Sequence, residues 1–152
     1  GMFLEGIRLF RKFGKNATIK VPCTPDGLRA CRELARDLVN VNVTLIFSPA
    51  QAILAAKAGA KYVSPFVGRV DDNSFDGIDL VDQISDIYSI QNIRKTEILA
   101  ASVRDVKTVS DSFGAGAHVV TMPPSIFEKM YNHVLTDRGL YQFDMDWAKV
   151  KR

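Results

Sequence analysis

Short runs of apolar, β-forming residues alternate along the chain with longer stretches in which apolar residues recur at helical spacing. Most of the short runs show little polar alternation, which is typical of strands covered on both faces in a parallel sheet. The predicted strands are Thr18–Val21, Val41–Phe47, Tyr62–Pro65, Glu97–Ala101 and His118–Thr121. Strand–helix alternation with right-handed crossovers gives either an open doubly wound sheet or a β/α barrel.

The stretches between these runs carry helix-start and helix-stop signals. Thr24 is followed by proline, and Ser48 begins a Ser-Pro-Ala-Gln capping-box pattern. Gly59 is placed to end the helix that follows Ser48. Residues 58–63 are echoed by residues 115–120, so both segments are predicted to be a helix end, a glycine and a strand. The other predicted helices are Met2–Phe13, Asp76–Ile90, Asp105–Phe113, Pro124–Tyr131 and Asp137–Trp147.

The chain length bounds the architecture. The chain has 152 residues. Five β/α units of about 30 residues fill it, whereas eight units need roughly 240, near the usual barrel size of about 250. We therefore expect the α/β class and a partial TIM (β/α)8 barrel, with about five parallel strands and flanking helices. We expect one domain over residues 2–152 that lacks about the first three units of such a barrel. Its open sheet edges and uncovered inner face favour a homo-oligomer.

Composition and charge argue against several classes of function. The net charge is +3, and no stretch concentrates Lys and Arg with aromatic residues, so nucleic-acid binding is not expected. The apolar runs are too short to span a membrane, and no signal-peptide pattern is present. Cys23 and Cys31 lack metal-ligand spacing and are expected to be small buried thiols, which favours the cytoplasm. We expect no metal and no cofactor.

Polar residues lie at or just after the predicted strand ends, where sites form in such folds. They are Lys20, Asn42, Thr44, Ser64, Arg69, Ser102 and Arg104. Asn42 and Thr44 are two residues apart, as are Ser102 and Arg104, and on a strand this spacing puts each pair on one face. A polar set that faces inward from apolar strands is costly unless it serves a ligand.

Lys20, within Ile-Lys-Val-Pro, is either a surface lysine with a snorkelling stem or a desolvated amine. A desolvated amine near other cations loses its proton readily and can attack a carbonyl to form a Schiff base. Arg69 and Arg104 are either solvated surface charges or, with Ser102, a phosphate clamp, because the guanidinium fork matches phosphate oxygens. An amine combined with a phosphate clamp indicates a sugar-phosphate lyase or transferase.

Several segments together resemble the transaldolase and fructose-6-phosphate aldolase family of Schiff-base aldolases. The segments are Ile19–Pro22 with Thr24 and Gly27–Leu28, Asn42–Ser48 with Ala50–Ala52, Tyr62–Asp72, Ala100–Arg104, Val119–Pro123, Leu135–Leu140 and Phe143–Trp147. They occur in the family's order and cover nearly the whole chain.

The resemblance implies a role for each candidate residue. Lys20 would carry the Schiff base with a ketose phosphate, and Thr44 would position a catalytic water. Asn42 and Ser64 would hold substrate hydroxyls. The terminal phosphate would be bound by Arg69, Ser102 and Arg104. Phe66 stands where simple aldolases of the family tend to carry tyrosine. The phenylalanine therefore favours transaldolase (transferase) activity, as in the pentose phosphate pathway, over fructose-6-phosphate aldolase activity.

The chain also departs from the family. The family begins with a strand bearing an aspartate, one with a Thr-Thr-Asn-Pro motif and one with a carboxylate or amide, and none of these is found here. Asp71, Asp72 and Asp105 follow strands but are expected to cap helices or face solvent, and His118 is expected to be packed. General acid–base catalysis contributes about 10²–10⁴-fold, so low turnover is expected. The alternative is a non-catalytic protein of this fold that binds a sugar phosphate or only assembles.

Overall fold

The structure, a computed structural model, describes residues 1–150. Strands and helices alternate along the chain, as the apolar pattern predicts. The strands are β1 (Thr18–Pro22), β2 (Asn40–Ile46), β3 (Tyr62–Pro65), β4 (Glu97–Ala100) and β5 (Val119–Val120). The helices are α1 (Met2–Phe13), α2 (Pro25–Arg36), α3 (Pro49–Lys57), α4 (Val67–Asp72), α5 (Gly77–Ile90), α6 (Val106–Gly114), α7 (Pro124–Lys129) and α8 (Val134–Val150).

The five strands form a parallel sheet in chain order, β1-β2-β3-β4-β5. The register sets Lys20 opposite Asn42 and Val43 opposite Val63. Each connection between neighbouring strands contains at least one helix. These features confirm the predicted α/β class and are consistent with a partial TIM barrel.

One face of the sheet, which we call the outer face, carries the hydrophobic core. Val43, Val63 and Ile98 are completely buried on it, and Leu34 of α2 and Ile84 of α5 belong to the same cluster. Burying such a side chain stabilises the fold by about 1.5–3 kcal/mol. Because side chains alternate along a strand, the residues between them point to the opposite, inner face. The core therefore fixes which residues reach the inner face.

Side-chain caps start α2 and α3 where the sequence predicts them. Thr24 Oγ1 accepts a hydrogen bond from the backbone N–H of Gly27 at 3.1 Å. Ser48 Oγ accepts one from Gln51 N at 3.3 Å. The Gln51 side chain accepts a hydrogen bond from the N–H of Phe47 at 2.7 Å, one residue earlier than in a capping box. Both caps hold a helix start beside the carboxyl end of a strand.

The middle of the chain differs from the prediction in two places. β2 ends at Ile46 rather than Phe47, and its pairing with β3 shifts register between Val43 and Ile46. Leu45 has a φ of +61° there, so the strand contains an irregularity of the β-bulge kind. The short helix α4 is not among the helices that the sequence predicts. Apolar patterning does not encode a bulge or a helix of one and a half turns.

The C-terminal part also differs from the prediction. β5 is reduced to Val119–Val120, and His118 is exposed rather than packed, with its Nδ1 accepting from the N–H of Ile98 at 3.2 Å. α8 begins at Val134 instead of Asp137 and buries none of its residues. Helical periodicity therefore predicted this helix correctly but not its environment.

The two cysteines are free thiols. Cys31 is completely buried, as expected, and burial raises the pKa of its thiol to about 11. Cys23 is only partly buried, and its Sγ lies 3.9 Å from the carbonyl oxygen of Gln51. Neither thiol is placed as a reactive group, because a raised pKa keeps a thiol protonated.

The glycines of the two similar segments, residues 58–63 and 115–120, form the same type of turn. Gly59 and Gly116 follow α3 and α6 with φ values of +92° and +96°. L-residues other than glycine rarely adopt this conformation. A Cβ on Gly116 would lie 2.1 Å from Ser85 Oγ and 2.7 Å from Ser85 Cβ. The helix-to-strand turn before β5 therefore depends on glycine at this position.

Replacing Gly116 by alanine should lower the free energy of unfolding by more than the roughly 1–2 kcal/mol that left-handed backbone costs an L-residue, because the new methyl group also collides with Ser85. Denaturant unfolding measures the change. Gly114→Ala is the matched control, since Gly114 has open space around it and ordinary backbone. Equal stability of the two variants would contradict this account of the turn.

Candidate active site

Three predicted site residues form a row across β1, β2 and β3 on the inner face. Lys20 lies directly opposite Asn42 in the register. Ser64, which is 1% exposed, donates a hydrogen bond from Oγ to Asn42 Oδ1 at 2.7 Å. This bond orients the amide of Asn42 so that its NH2 group, for which no hydrogen bond to a described residue is found, can donate to a ligand.

The ring of Phe66 lies between this row and Arg69 of α4. Lys20 Nζ lies 6.0 Å from the ring centroid, and the guanidinium carbon of Arg69 lies 4.8 Å from it. Phe47 packs against the same ring, with 5.8 Å between centroids. Cations within about 6 Å of an aromatic face are attracted to it. Phe66, at the carboxyl end of β3, is therefore within this range of two candidate cations.

Lys20 is exposed in the structure. Of the two interpretations of this residue, a surface lysine or a desolvated amine, the desolvated amine is therefore not what the structure shows. Its neighbours along β1, Ile19 and Val21, are buried on the outer face. The strand therefore projects the lysine stem onto the open inner face. The surrounding residues of this chain leave its ammonium group in contact with solvent.

Thr44 has the one orphaned hydroxyl found among the described residues. Its Oγ1 is buried and has no hydrogen-bond partner. The residue lies at the bulge in β2, next to Leu45, where the strand changes direction. Bulges beside functional sites commonly re-aim a side chain. A buried hydroxyl without a partner is costly, so Thr44 is suited to binding a water or a ligand atom.

Gly68 lets the loop after β4 approach the start of α4. A Cβ on Gly68 would lie 2.1 Å from the carbonyl oxygen of Ser102, 3.2 Å from its Oγ and 3.1 Å from Arg104 Nε. Ser102 itself has a φ of +62°, an uncommon conformation for a residue with a side chain. Close packing at Gly68 therefore holds Ser102 and Arg104 against the carboxyl end of β3.

The predicted phosphate ligands are divided between two adjacent cavities. Ser102 and Arg104 line a cavity of about 450 Å³ that also includes Thr121. Arg69 instead lines a cavity of about 440 Å³ beside Phe47 and the start of α5. The guanidinium of Arg104 forms two parallel hydrogen bonds with the carboxylate of Asp72. The three-residue clamp is thus not assembled around one cavity in this chain.

Asp72 and Gly68 are site residues that the sequence analysis missed. Asp72 is exposed, as expected, but it also pairs with Arg104 across a separation of 32 residues, which was not expected. The hydrogen bonds from Arg104, and more weakly the charge of Arg69, hold the pKa of Asp72 below its usual range. The sequence does show two acidic residues shortly after Arg69, Asp71 and Asp72. A single sequence does not reveal which of them pairs with Arg104.

Carboxylates are not placed beside the candidate lysine. Within residues 1–150, no acid forms an ion pair with Lys20. Asp71 and Asp105 accept backbone N–H bonds at the starts of α5 and α6, as expected, and Glu97 pairs with Lys61. The same part of the chain contains no cluster of three metal-ligating side chains and no helix long and apolar enough to cross a membrane.

Comparisons with known proteins agree with the resemblance seen in the sequence. The family profile described as Transaldolase/Fructose-6-phosphate aldolase matches residues 1–152. A "Probable transaldolase" of Nitrosopumilus maritimus is 54% identical over 151 residues, which are 99% of this chain and 68% of that protein. A "Probable transaldolase" of Paracoccus denitrificans is 55% identical over 149 residues, covering 98% of this chain and 68% of its own length.

Solved structures resemble the chain at much lower identity. A GMP reductase variant from Trypanosoma brucei aligns with 81% of this chain and 28% of its own, with a TM-score of 0.63 and 17% identity. A flavocytochrome b2 variant aligns with 62% of this chain and 26% of its own, with a TM-score of 0.52 and 20% identity. At these identities the likeness concerns the fold alone.

Proposed function

The chain belongs to the transaldolase/fructose-6-phosphate aldolase family, and we propose that it transfers a dihydroxyacetone unit from a sugar phosphate through a Schiff base on Lys20. The observation that carries the proposal is the position of Lys20 opposite Asn42, whose amide is oriented by Ser64. An amine next to oriented amide and hydroxyl groups is suited to a polyhydroxylated carbonyl compound.

In the proposed reaction the neutral amine of Lys20 adds to the ketose carbonyl, and loss of water together with uptake of one proton from solvent gives a protonated Schiff base. The bond between the third and fourth sugar carbons then breaks as the hydroxyl on the fourth carbon gives up its proton to solvent through the water that Thr44 holds. The fourth to sixth carbons leave as an aldehyde that carries the phosphate. The electron pair moves into the Schiff base, which becomes an enamine. The enamine attacks an aldehyde acceptor in transfer, or takes a proton in simple cleavage, and hydrolysis releases the product from Lys20.

The other predicted residues receive supporting roles. Thr44 holds the water that carries the proton, a role supported by its buried, unpartnered hydroxyl. Asn42 and Ser64 bind substrate hydroxyls, and Ser102 with Arg104 binds the phosphate. Arg69, whose guanidinium lies 4.8 Å from the centroid of the Phe66 ring, contributes further positive charge for the phosphate. The free thiols favour a reducing compartment, and we propose a cytoplasmic location.

Phe66 favours transfer over simple cleavage. Its ring presents no hydroxyl to the space beside Lys20, 6.0 Å away. Simple cleavage requires a proton for the enamine, and a phenol at this position would be a proton donor. We therefore assign fructose-6-phosphate aldolase activity second place.

A non-catalytic role in sugar-phosphate binding or assembly is the second candidate. The exposure of Lys20 and the absence of an acid paired with it within residues 1–150 favour this alternative. An amine that keeps its proton cannot form a Schiff base. The two candidates share the phosphate site and differ in the chemistry of Lys20.

Borohydride should trap fructose 6-phosphate on Lys20, because reduction converts a Schiff base into a stable secondary amine. Intact-mass and peptide-mass analysis should find one adduct, located on Lys20. Lys20→Met should abolish it, whereas Lys15→Met, which removes an exposed lysine of the turn before β1, should leave it unchanged. An adduct of equal yield in the Lys20→Met variant would contradict the assignment, and no adduct at all would favour the non-catalytic role.

Arg104→Ala should raise the Michaelis constant for fructose 6-phosphate about 10- to 100-fold, since hydrogen bonds to charged groups contribute about 1.5–3 kcal/mol. The constant for unphosphorylated fructose should change little. Steady-state kinetics or the concentration dependence of trapping measures both. Arg36→Ala, which removes an exposed arginine at the end of α2, is the control. Equal effects on both sugars would remove Arg104 from the phosphate site.

We also propose that the protein is a homo-oligomer whose interface covers the open inner face near Thr18–Val21 and His118–Thr121. β1 and β5 are the edge strands of the described sheet, and α8 exposes large apolar side chains. Burial of apolar surface contributes about 25 cal/mol per Å². Light scattering at micromolar concentration should therefore give a mass above that of one chain. A stable monomer would contradict the proposal.

A further inference from the structure

The carboxylate of Asp72 is hydrogen-bonded to the terminal nitrogens of Arg104, which are groups that an anionic ligand would also bind. Its Oδ2 accepts from Arg104 Nη2 at 2.6 Å, and its Oδ1 accepts from Nη1. Both terminal nitrogens of the guanidinium fork are therefore engaged by one carboxylate. The same fork geometry binds phosphate oxygens bidentately. A phosphate in the cavity of Ser102 and Arg104 that binds this edge of the guanidinium has to compete with Asp72 for these two of its five N–H donors.

The ion pair is placed so that a ligand can open it. The side chains of Arg104 and Asp72 are 55% and 48% exposed, so water and ions reach both. Exposed ion pairs are weak compared with buried ones. Asp72 also lies in the field of Arg69, so its charge stays partly compensated once Arg104 has turned away. When a phosphate replaces Asp72 at Arg104, Arg104 is paired with the phosphate and Asp72 remains near Arg69. Neither charge is then without an opposite charge nearby.

We propose that Asp72 is a specificity-determining residue that limits the preference of the site for phosphorylated over unphosphorylated sugars. It holds Arg104 in an ion pair that the substrate phosphate must displace. The inference rests on the proposed phosphate-binding role of Arg104. Binding that first requires opening of a closed state is weakened by the fraction of time the state is open. A sugar without phosphate does not bind Arg104, so the ion pair does not lower its affinity.

The test compares binding of inorganic phosphate to the purified chain and its variants by calorimetric titration. Asp72→Asn keeps the size of the side chain and removes its charge. The Kd for phosphate should fall about two- to fivefold, the range expected for loss of an exposed ion pair. Asp111→Asn is the control, because it removes one carboxylate from an exposed ion pair with Lys107 in α6. It should leave the Kd unchanged.

The double variant with Arg104→Ala separates competition at Arg104 from a general effect of charge. In the Arg104→Ala background, Asp72→Asn should no longer improve phosphate binding. Unchanged or weaker binding by Asp72→Asn alone would overturn the inference, and weaker binding would mean that Asp72 orients Arg104. If Asp72→Asn still improves phosphate binding in the Arg104→Ala background, the inference is also overturned. Asp72→Ser repeats the test if the asparagine variant folds poorly by circular dichroism.

The outcomes distinguish this inference from the proposed function. If Arg104→Ala alone leaves the phosphate Kd unchanged, the proposed phosphate site is wrong, and the role of Asp72 falls with it. If Arg104→Ala weakens binding while Asp72→Asn has no effect, the phosphate site stands and only the competition fails. For the sugars, Asp72→Asn should improve binding of fructose 6-phosphate and leave that of fructose unchanged.

Discussion

One-sided burial of the parallel sheet is the constraint on which the rest of the structure depends. The outer face is packed under helices through fully buried side chains such as Val43, Val63 and Ile98. A strand cannot slip by one residue without moving these side chains out of the core. The residues between them are thereby fixed on the inner face. Lys20, Asn42 and Ser64 reach one surface because their neighbours are held on the other.

The site at the carboxyl ends of the strands depends on a second set of contacts, made by the connecting segments. Phe66 attracts Lys20 and Arg69, and Gly68 admits the loop that carries Ser102 and Arg104. These segments place the candidate amine and the candidate phosphate ligands at the same end of the sheet. The family sets the class of chemistry expected there, whereas the pairing of Arg104 with Asp72 belongs to the geometry of this chain.

Much of the fold could be predicted because its determinants are local. Apolar runs marked the strands, Thr24 and Ser48 marked helix starts, and the repeated glycine before a strand proved to be a left-handed turn at both Gly59 and Gly116. The bulge at Leu45 could not be predicted, since its conformation follows from strand pairing rather than from residue type. The exposure of α8 escaped prediction because a periodic pattern reports a helix, not what covers it.

The candidate site was predicted as a set of residues but not as a set of contacts. Thr44 was found as a polar residue near a strand end, the resemblance to the family supplied its role, and the structure then revealed its orphaned hydroxyl. The Asp72–Arg104 pair joins residues far apart in sequence, and no local pattern encodes it. The most direct test of the account is a crystal structure of the protein reduced with borohydride in the presence of fructose 6-phosphate. We predict density that continues from Lys20 Nζ into the intact sugar or a dihydroxyacetone unit, with any bound phosphate against Ser102 and Arg104. An unmodified Lys20, or a phosphate bound away from Arg104, would contradict it.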